Sequence, residues 1–225
     1  MFKCLYNKRH IVIALCLAIL SSELGLAAKP NIILESDRME KLNQGEIICF
    51  YGNVRLKRDN AVVESDIMKN YKAKNLIIAE ENVRFRDTTE KGEVITGSCQ
   101  KMRYYVDKNY GELAGSPVLH YVNKNNPQDK VDVRGDKIKI FIESEVAEIE
   151  GNVRIVFRNL ISQSNFGTYK KDSNQIILTG DPHVFEKTDQ TQSEYSGDRI
   201  ILFVSEDKVQ IESNVRVKIE DFMQD

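Results

Sequence analysis

Hydrophobic and polar residues alternate along most of this chain, with the period of two that is typical of β-strands. In the first clear stretch, Ile48, Phe50, Val54 and Leu56 fall on one side of the chain. Five later stretches repeat the pattern, with apolar positions at Ile77, Ala79, Val83, Phe85, Leu113, Leu119, Ala147, Ile149, Val153, Ile155, Phe157, Ile176, Leu178, Val184, Val209, Ile211, Val215 and Val217. After residue 27, no twelve-residue window sustains the i, i+3, i+4, i+7 spacing of a helix. The pattern predicts an all-β fold with antiparallel strands.

The alternating stretches belong to an internal repeat. Six segments each begin with a small residue and a polar neighbour, at Ser36-Asp37, Ser65-Asp66, Gly97-Ser98, Gly135-Asp136, Ser164-Asn165 and Gly197-Asp198. Each segment then reaches a bend, at Gly52-Asn53-Val54, Glu81-Asn82-Val83, Gly115-Ser116-Pro117, Gly151-Asn152-Val153, Gly180-Asp181-Pro182 and Ser213-Asn214-Val215. Gly, Ser and Asn at a bend favour a corner where a strand passes from one sheet to another. Six stacked two-strand units then predict two facing sheets with a continuous apolar interior.

The first 27 residues differ from the rest and have the pattern of a secretory signal peptide. A basic start precedes an unbroken apolar run at 11–20, and Gly25 and Ala27 place small residues at a cleavage site. The run is shorter than the roughly 20 residues that span a bilayer. We therefore expect cleavage after Ala27 and a single domain at 28–225. An uncleaved membrane anchor is the alternative, and the first residue of the mature protein distinguishes the two.

Cysteine usage leaves one question open. Once the leader is removed, only Cys49 and Cys99 remain, in the first and third repeats. An oxidising compartment permits a disulfide between them. Two separate thiols are the simpler interpretation, because those two repeats need not touch.

Composition and motifs predict no catalytic residue, no metal site and no cofactor. The 225 residues carry a net charge of -2 without a long block of either sign, which argues against nucleic-acid binding. His120 and His183 have no Cys or His at ligand spacing, and no hydrolase, phosphate-loop, dinucleotide or zinc-peptidase motif occurs. A carbohydrate-active β-solenoid stays an alternative, because its acids need not be adjacent in sequence.

Several of these segments resemble the LptA/OstA-like family of lipopolysaccharide-transport bridge proteins. The resemblance rests on residues 32–37, 47–54 and 61–66, recurs at Gly135-Asp136 and Gly151-Asn152-Val153, and covers about 32–222. It implies an open, twisted β-jellyroll built from about six stacked two-strand repeats. Two departures affect the expected local shape only: an insertion at 123–128 and Glu81 where the other bends favour a small residue.

The same resemblance implies a non-enzymatic, periplasmic lipid-binding protein. It would shield the acyl chains of lipopolysaccharide and pass them from the inner to the outer membrane. The implied partners are lipopolysaccharide through its lipid A region, the inner-membrane and outer-membrane components of the transport machinery, and further copies stacked head to tail. A relative of the same fold that stays tethered to the inner membrane is the alternative.

The predicted lipid-binding residues follow from the resemblance and from the inward rows. In the family, isoleucines just before the Glu-Ser-Asp segment line the lipid path, and the matching positions here are Ile32 and Leu34. The inward rows add Ile48, Phe50, Val54, Val63, Phe85, Ile149 and Val153. The same side chains would form an ordinary core if the two sheets closed on each other.

The first and last strands are the predicted partner-binding edges, because an unpaired strand is a template for strand addition. The first strand, at 32–37, offers Ile33 and Glu35, and the last, at 215–222, offers Val215, Val217 and Ile219. In the alternative, charge makes both edges unsuitable for pairing, and Lys218, Glu220 and Asp221 support this.

Overall fold

A computed structural model of the chain describes residues 32–221, apart from 90–91, 124–125, 189–190, 205 and 207. The expected signal peptide at 1–27 lies outside the described residues. The described strands form one 18-stranded sheet in which every pairing is antiparallel. They are β1 (Ile32–Glu35), β2 (Arg38–Leu42), β3 (Ile47–Arg58), β4 (Ala61–Tyr71), β5 (Leu76–Thr88), β6 (Glu93–Tyr105), β7 (Tyr110–Ala114), β8 (Val118–Asn123), β9 (Asn126–Arg134), β10 (Lys137–Phe141), β11 (Val146–Phe157), β12 (Leu160–Lys170), β13 (Gln175–Thr179), β14 (His183–Lys187), β15 (Thr191–Ser196), β16 (Arg199–Phe203), β17 (Lys208–Glu212) and β18 (Arg216–Asp221). Short 3-10 turns lie at Asn43–Gly45, Lys72–Lys74 and Val106–Lys108.

The sheet folds over into two facing layers. Layer 1 begins with β2 and ends with β17, and layer 2 begins with β1 and ends with β18. The long strands β3, β4, β5, β6, β11 and β12 cross from one layer to the other. Strand β3, for example, pairs with β2 through residues 47–51 and with β1 through residues 55–58. The remaining strands are short and belong to one layer each.

Each of the six bends that the sequence predicts places two consecutive residues in the left-handed region. At Gly52-Asn53 the φ angles are 73° and 46°, and at Gly151-Asn152 they are 70° and 47°. The second bend keeps this conformation at Glu81 (φ 64°) and Asn82 (φ 52°), so the side chain at Glu81 does not alter the corner. Two left-handed residues in succession turn the strand out of one layer and into the other.

A side-chain contact holds four of the bends against the preceding strand. The Asn of the bend donates to the carboxylate of an Asp sixteen residues earlier, over 2.6–2.9 Å at the shortest contact. The pairs are Asn53 with Asp37, Asn82 with Asp66, Asn152 with Asp136, and Asn214 with Asp198. Each carboxylate belongs to one of the repeat-initiating residue pairs, so the start of a repeat and its bend form one structural unit.

The layers join at the bends, and the chain reverses on the opposite side. The reversals of layer 1 are bonded to each other, because the first residue of each donates its N–H to the previous reversal. These bonds run from Lys72 to Glu46, Val106 to Asn75, Ile142 to Asn109, Lys171 to Glu145 and Val204 to Asn174. We call the side on which these reversals face the hairpins of layer 2 the mouth.

The inward rows of both layers form one hydrophobic core. In layer 1, Met102, Leu113, Ile138 and Ile149 lie side by side on successive strands. The core continues through both layers from Val54 in β3 to Val204 after β16. The predicted all-β antiparallel architecture with stacked two-strand repeats is confirmed. We call the continuous interior between the layers the trough.

Replacing Gly151 with Ala tests the corner. A Cβ at Gly151 would lie 2.1 Å from Asp136 Oδ2, at φ +70°, whereas a Cβ at Gly45, at φ +93°, would meet nothing within 4 Å. We expect Gly151→Ala to lower the free energy of unfolding by about 2–3 kcal/mol and Gly45→Ala to lower it by about 1 kcal/mol. Chemical denaturation of both variants measures the difference. Equal losses would show that the Asp136 contact adds nothing to the cost of the backbone angle.

Candidate functional site

Most of the predicted lipid-binding residues lie on the floor of the trough. Val54, Val63 and Phe85 are buried, and Ile149 and Val153, in the middle of the chain, are only 3% and 2% exposed. The structure therefore brings the inward set together on one continuous surface, as the alternation predicts. Whether they contact lipid stays a prediction.

The middle of the trough is filled by side chains from both layers. Ile138 and Ile149 of layer 1 and Val133 and Ile155 of layer 2 are among the residues that line a cavity of about 20 Å³. A cavity of about 10–15 Å³ holds one water molecule, so this one has space for about a single water, and an acyl chain finds no room there unless the layers separate.

At the N-terminal end the same interior face is uncovered. Ile32 is 49% exposed, and Leu34, Ile48 and Phe50 are partly exposed. Leu34 and Phe50 pack against the core. Ile33 and Glu35 lie on the outer side of β1 and are exposed, and β1 pairs only with β3 among the described strands. The first strand is therefore an open edge whose inner side belongs to the trough.

At the C-terminal end the last strand is also open. Strand β18 pairs only with β15 among the described strands, and Val217 and Ile219 are 53% and 62% exposed. Val217 lies beside Tyr195, which packs against the core, so its side chain continues the inner face of layer 2. A cavity of about 320 Å³ lies close by, lined by Phe157, Asn159, Leu160, Glu186, Tyr195, Leu202, Phe203, Lys208, Val209 and Ile211.

The trough also contains polar groups that the sequence patterns do not reveal. Asp87 and Glu93 are buried on the interior side of layer 2, and the Tyr121 hydroxyl donates to Glu93 Oε1 over 3.4 Å. Burial raises the pKa of the Asp87 carboxyl. Burial, and then the charges of Tyr121 and Glu93, raise the pKa of Tyr169 in layer 1. These groups form a polar seam where the two layers approach each other near the mouth.

The outer faces carry ordinary charge pairing. Lys101 and Lys69 donate to the two carboxylate oxygens of Glu80 over 2.5 and 2.8 Å, and these hydrogen bonds lower the pKa of Glu80. His120 contacts Asp132, and His183 contacts Glu194. Both histidines lie in strands and bond acidic neighbours, in keeping with a structural role.

The two cysteines do not pair. Cys49 and Cys99 are both free and buried, and Cys99 belongs to the core, where burial raises its pKa to about 12. Across the described ranges, no group of three or more His, Cys, Asp or Glu side chains is arranged to hold a metal ion. The same residues include no helix that is long and apolar enough to cross a membrane.

Replacing Asp87 with Asn tests the polar seam. Asp87 is 4% exposed and its pKa is raised in the folded protein, so its contribution to stability is fully present below the unfolded pKa and is lost as the pH rises through the folded pKa. We expect Asp87→Asn to raise the free energy of unfolding at neutral pH and to change it little at acidic pH. Urea denaturation across this pH range is the measurement. The exposed control Asp107→Asn should change the free energy by less than about 0.5 kcal/mol at either pH, and a similar profile for both variants would contradict the assignment.

One protein family and one solved structure are similar to this chain. The model of a family described as "LptA/(LptD N-terminal domain) LPS transport protein" matches residues 34–146, which is half of the chain. No curated protein matches the sequence. A solved structure of LptH, described as the LptA homologous periplasmic component of the lipopolysaccharide transport device from Pseudomonas aeruginosa, is similar over 87% of this chain and 96% of that chain, with 12% identity and a TM-score of 0.20. Because the family model covers half of its residues, this chain belongs to the LptA/(LptD N-terminal domain) family of lipopolysaccharide-transport proteins.

Proposed function

We propose that this protein is a non-enzymatic periplasmic bridge that shields the acyl chains of lipopolysaccharide and passes them from the inner to the outer membrane. The family supports the substrate, and the signal peptide that the sequence predicts at 1–27 would direct export. One structural observation carries the mode of action: the apolar interior runs through every unit and reaches uncovered strands at both ends.

The physical need for such a trough follows from the hydrophobic effect. Each methylene group removed from water contributes about 0.8 kcal/mol, so a lipid with several acyl chains does not cross an aqueous compartment unshielded. The trough offers Phe, Val, Leu and Ile side chains along its length. The sugars and phosphates of the lipid would remain at the mouth, in contact with water.

Entry of a chain requires either an end of the trough or a wider mouth. The end units are suited to entry because Ile32, Ile48 and Phe50 are partly accessible there. In the middle, the layers are covalently continuous through the bends, while the mouth is closed by side-chain packing and the polar seam. Separation at the mouth would expose Ile149 and Val153 without breaking the bends.

The two open edges supply the contacts for assembly. If β18 of one copy paired with β1 of the next, layer 2 would continue from one copy into the other, and Val217 and Ile219 would meet the interior row of Leu34 and Ile32. The interiors would then join into a longer trough. At the ends of such a stack, the N-terminal edge would receive the inner-membrane component and the C-terminal edge would be offered to the outer-membrane component.

A photoreactive residue at Ile32 tests the lipid path. Ile32 and Ile33 are adjacent and similarly exposed, at 49% and 43%, but they lie on opposite sides of β1. We expect irradiation in cells to attach lipopolysaccharide at Ile32 and at Phe50, and little or none at Ile33. Mass spectrometry of the purified protein reads out the adduct. Equal labelling at Ile32 and Ile33, or none at either inward position, would refute the lipid path.

Acidic residues on the last strand test the assembly edge. Val217→Asp with Ile219→Asp should reduce head-to-tail oligomers at least tenfold at a given concentration, because charge replaces exposed apolar contact area. The free energy of unfolding should change by less than about 1 kcal/mol, since both positions are exposed. Light scattering coupled to size exclusion measures the oligomers. Arg216→Ala with Lys218→Ala, on the outer side of the same strand, is the control, and unchanged assembly in the acidic variant would exclude this edge.

A further inference from the structure

Both outer faces contain ion pairs, but the pairing is far more complete on layer 1. Most lysines and arginines on the outer side of its strands contact a carboxylate of the same face. The contacts join Arg38 with Glu40, Lys69 and Lys101 with Glu80, Arg103 and Lys137 with Glu112, Lys139 with Glu150, and Arg199 with Glu212. Among the described residues of this face, Lys170 and Lys208 lack such a contact. Positive charge on layer 1 is therefore mostly compensated where it lies.

The outer face of layer 2 carries more cations than its carboxylates can pair. Its ion pairs are Arg55 with Glu64, His120 with Asp132, His183 with Glu194, and Lys218 with Glu220. Other lysines and arginines on the outer side of these strands have no carboxylate within 4.0 Å among the described residues. They are Lys57, Arg84, Arg86, Lys130, Arg134, Arg154, Lys187 and Arg216. The chain as a whole has a net charge of -2, so this face differs in sign from the rest of the protein.

Two of these arginines face each other across neighbouring strands. Arg134 of β9 and Arg154 of β11 are directly opposite in register. Both point outward, since Arg154 lies between Val153 and Ile155, which are buried, and successive side chains of a strand alternate in direction. Like charges at directly opposite positions destabilise a sheet. The pair therefore lowers the stability of the protein alone, and an anion held between the two guanidinium groups would remove that cost.

The carboxylates closest to this pair along β9 are bonded elsewhere. Asp132, two residues before Arg134, is bonded to His120 over 2.6 Å. Asp136, two residues after it, accepts a hydrogen bond from Asn152 at the corner. Neither carboxylate contacts a guanidinium group of the pair, so the two positive charges are available to an anion from outside.

The pair belongs to a longer row of arginines beside the bends. Strand pairing places Arg55, Arg84, Arg134, Arg154 and Arg216 on one line along layer 2. We call these five residues the arginine row. Neighbouring strands of a sheet are rotated by roughly 20–25°, so the row winds around the long axis of the molecule. A flat membrane would reach only part of the row, whereas a flexible chain could follow it.

We propose that the arginine row binds a flexible glycan chain that carries carboxylates. A guanidinium group matches the planar carboxylate with two parallel hydrogen bonds. Ser98, Gln163 and Ser196 lie in the same line between the arginines and can bond the hydroxyl groups of sugars. An acidic peptide fits this face less well, because strands within a sheet are paired on both sides and offer no free backbone groups for strand addition.

This site lies outside the trough and does not depend on the proposed function. A glycan on the outer face of layer 2 leaves both the interior and the mouth unoccupied. Such binding would hold the protein against an acidic polymer while the trough stays accessible.

Paired substitutions test the proposal with short polygalacturonate oligomers as the probe. The same oligomers with every carboxylate methyl-esterified are the uncharged control. Arg134→Gln with Arg154→Gln removes two charges from the row, and Lys170→Gln with Lys208→Gln removes two exposed charges from layer 1. Titration calorimetry should show about three- to tenfold weaker binding of polygalacturonate to the arginine variant and little change for the lysine variant. Binding should weaken as salt concentration rises, and the esterified oligomers should not bind.

A charge-conserving variant separates the guanidinium group from charge alone. Arg134→Lys with Arg154→Lys keeps both charges but loses the two-point contact with a carboxylate, so binding should be intermediate between the unsubstituted protein and the glutamine variant. The thermal midpoint of the glutamine variant should not fall, because the opposed charges are gone. A lower midpoint would show that the arginines stabilise the fold and would overturn the argument from repulsion.

Several other results would overturn the proposal. These are no binding of polygalacturonate to the unsubstituted protein, equal losses in the arginine and lysine variants, and equal binding of the esterified oligomers. Tighter binding to phosphatidylglycerol vesicles, lost in the arginine variant, would assign the row to a membrane surface instead. Tighter binding to polyglutamate with the same loss would assign it to an acidic protein segment.

Discussion

The architecture depends on one local constraint, which is the pair of left-handed residues at each bend. A β-strand of twelve residues would otherwise run on in a single sheet, and no interior could form between layers. The turn at Gly52-Asn53 sends β3 from layer 1 into layer 2 within two residues. The carboxylate of Asp37 then bonds Asn53 and fixes the corner against the strand before it. Repetition of this corner aligns all the bends on one side and leaves all the reversals on the other.

The bends and the reversals differ in how firmly they connect the two layers. Covalent chain crosses between layers at the bends, whereas the mouth relies on packing and on groups such as Asp87 and Tyr169. A buried carboxyl with a raised pKa contributes an unfavourable term at neutral pH, so the seam is not optimised for stability alone. Natural proteins commonly retain such costs where function needs movement. Under the proposed function, weak contacts at the mouth would let the trough admit and release long hydrocarbon chains.

The sequence predicts the backbone architecture well because period-two alternation and bend chemistry are local signals. The rows through Ile149 and Val153 and all six bends could be located from residues close in sequence. The bond between Asp136 and Asn152 was within reach, since both residues mark repeat features at a constant separation of sixteen residues. The burial of Asp87 could not be predicted from the sequence. An acidic residue at an inward position suggests that the strand register has been assigned wrongly, until the strand pairing is known. The equivalence of Lys72 with Val106 and Val204 also depends on backbone bonds between reversals that differ in sequence.

The strand count of layer 1 sets a length scale. Twelve strands follow one another from β2 to β17, and neighbouring strands lie about 4.8 Å apart, so the interior extends for roughly 50 Å. One leaflet of bilayer hydrocarbon is only about 15 Å thick. A single lipid would therefore occupy a fraction of the interior at any moment. Under the proposed function, travel from end to end would be a series of short steps between neighbouring sites of unequal depth, and each step through the filled middle would require the layers to separate locally.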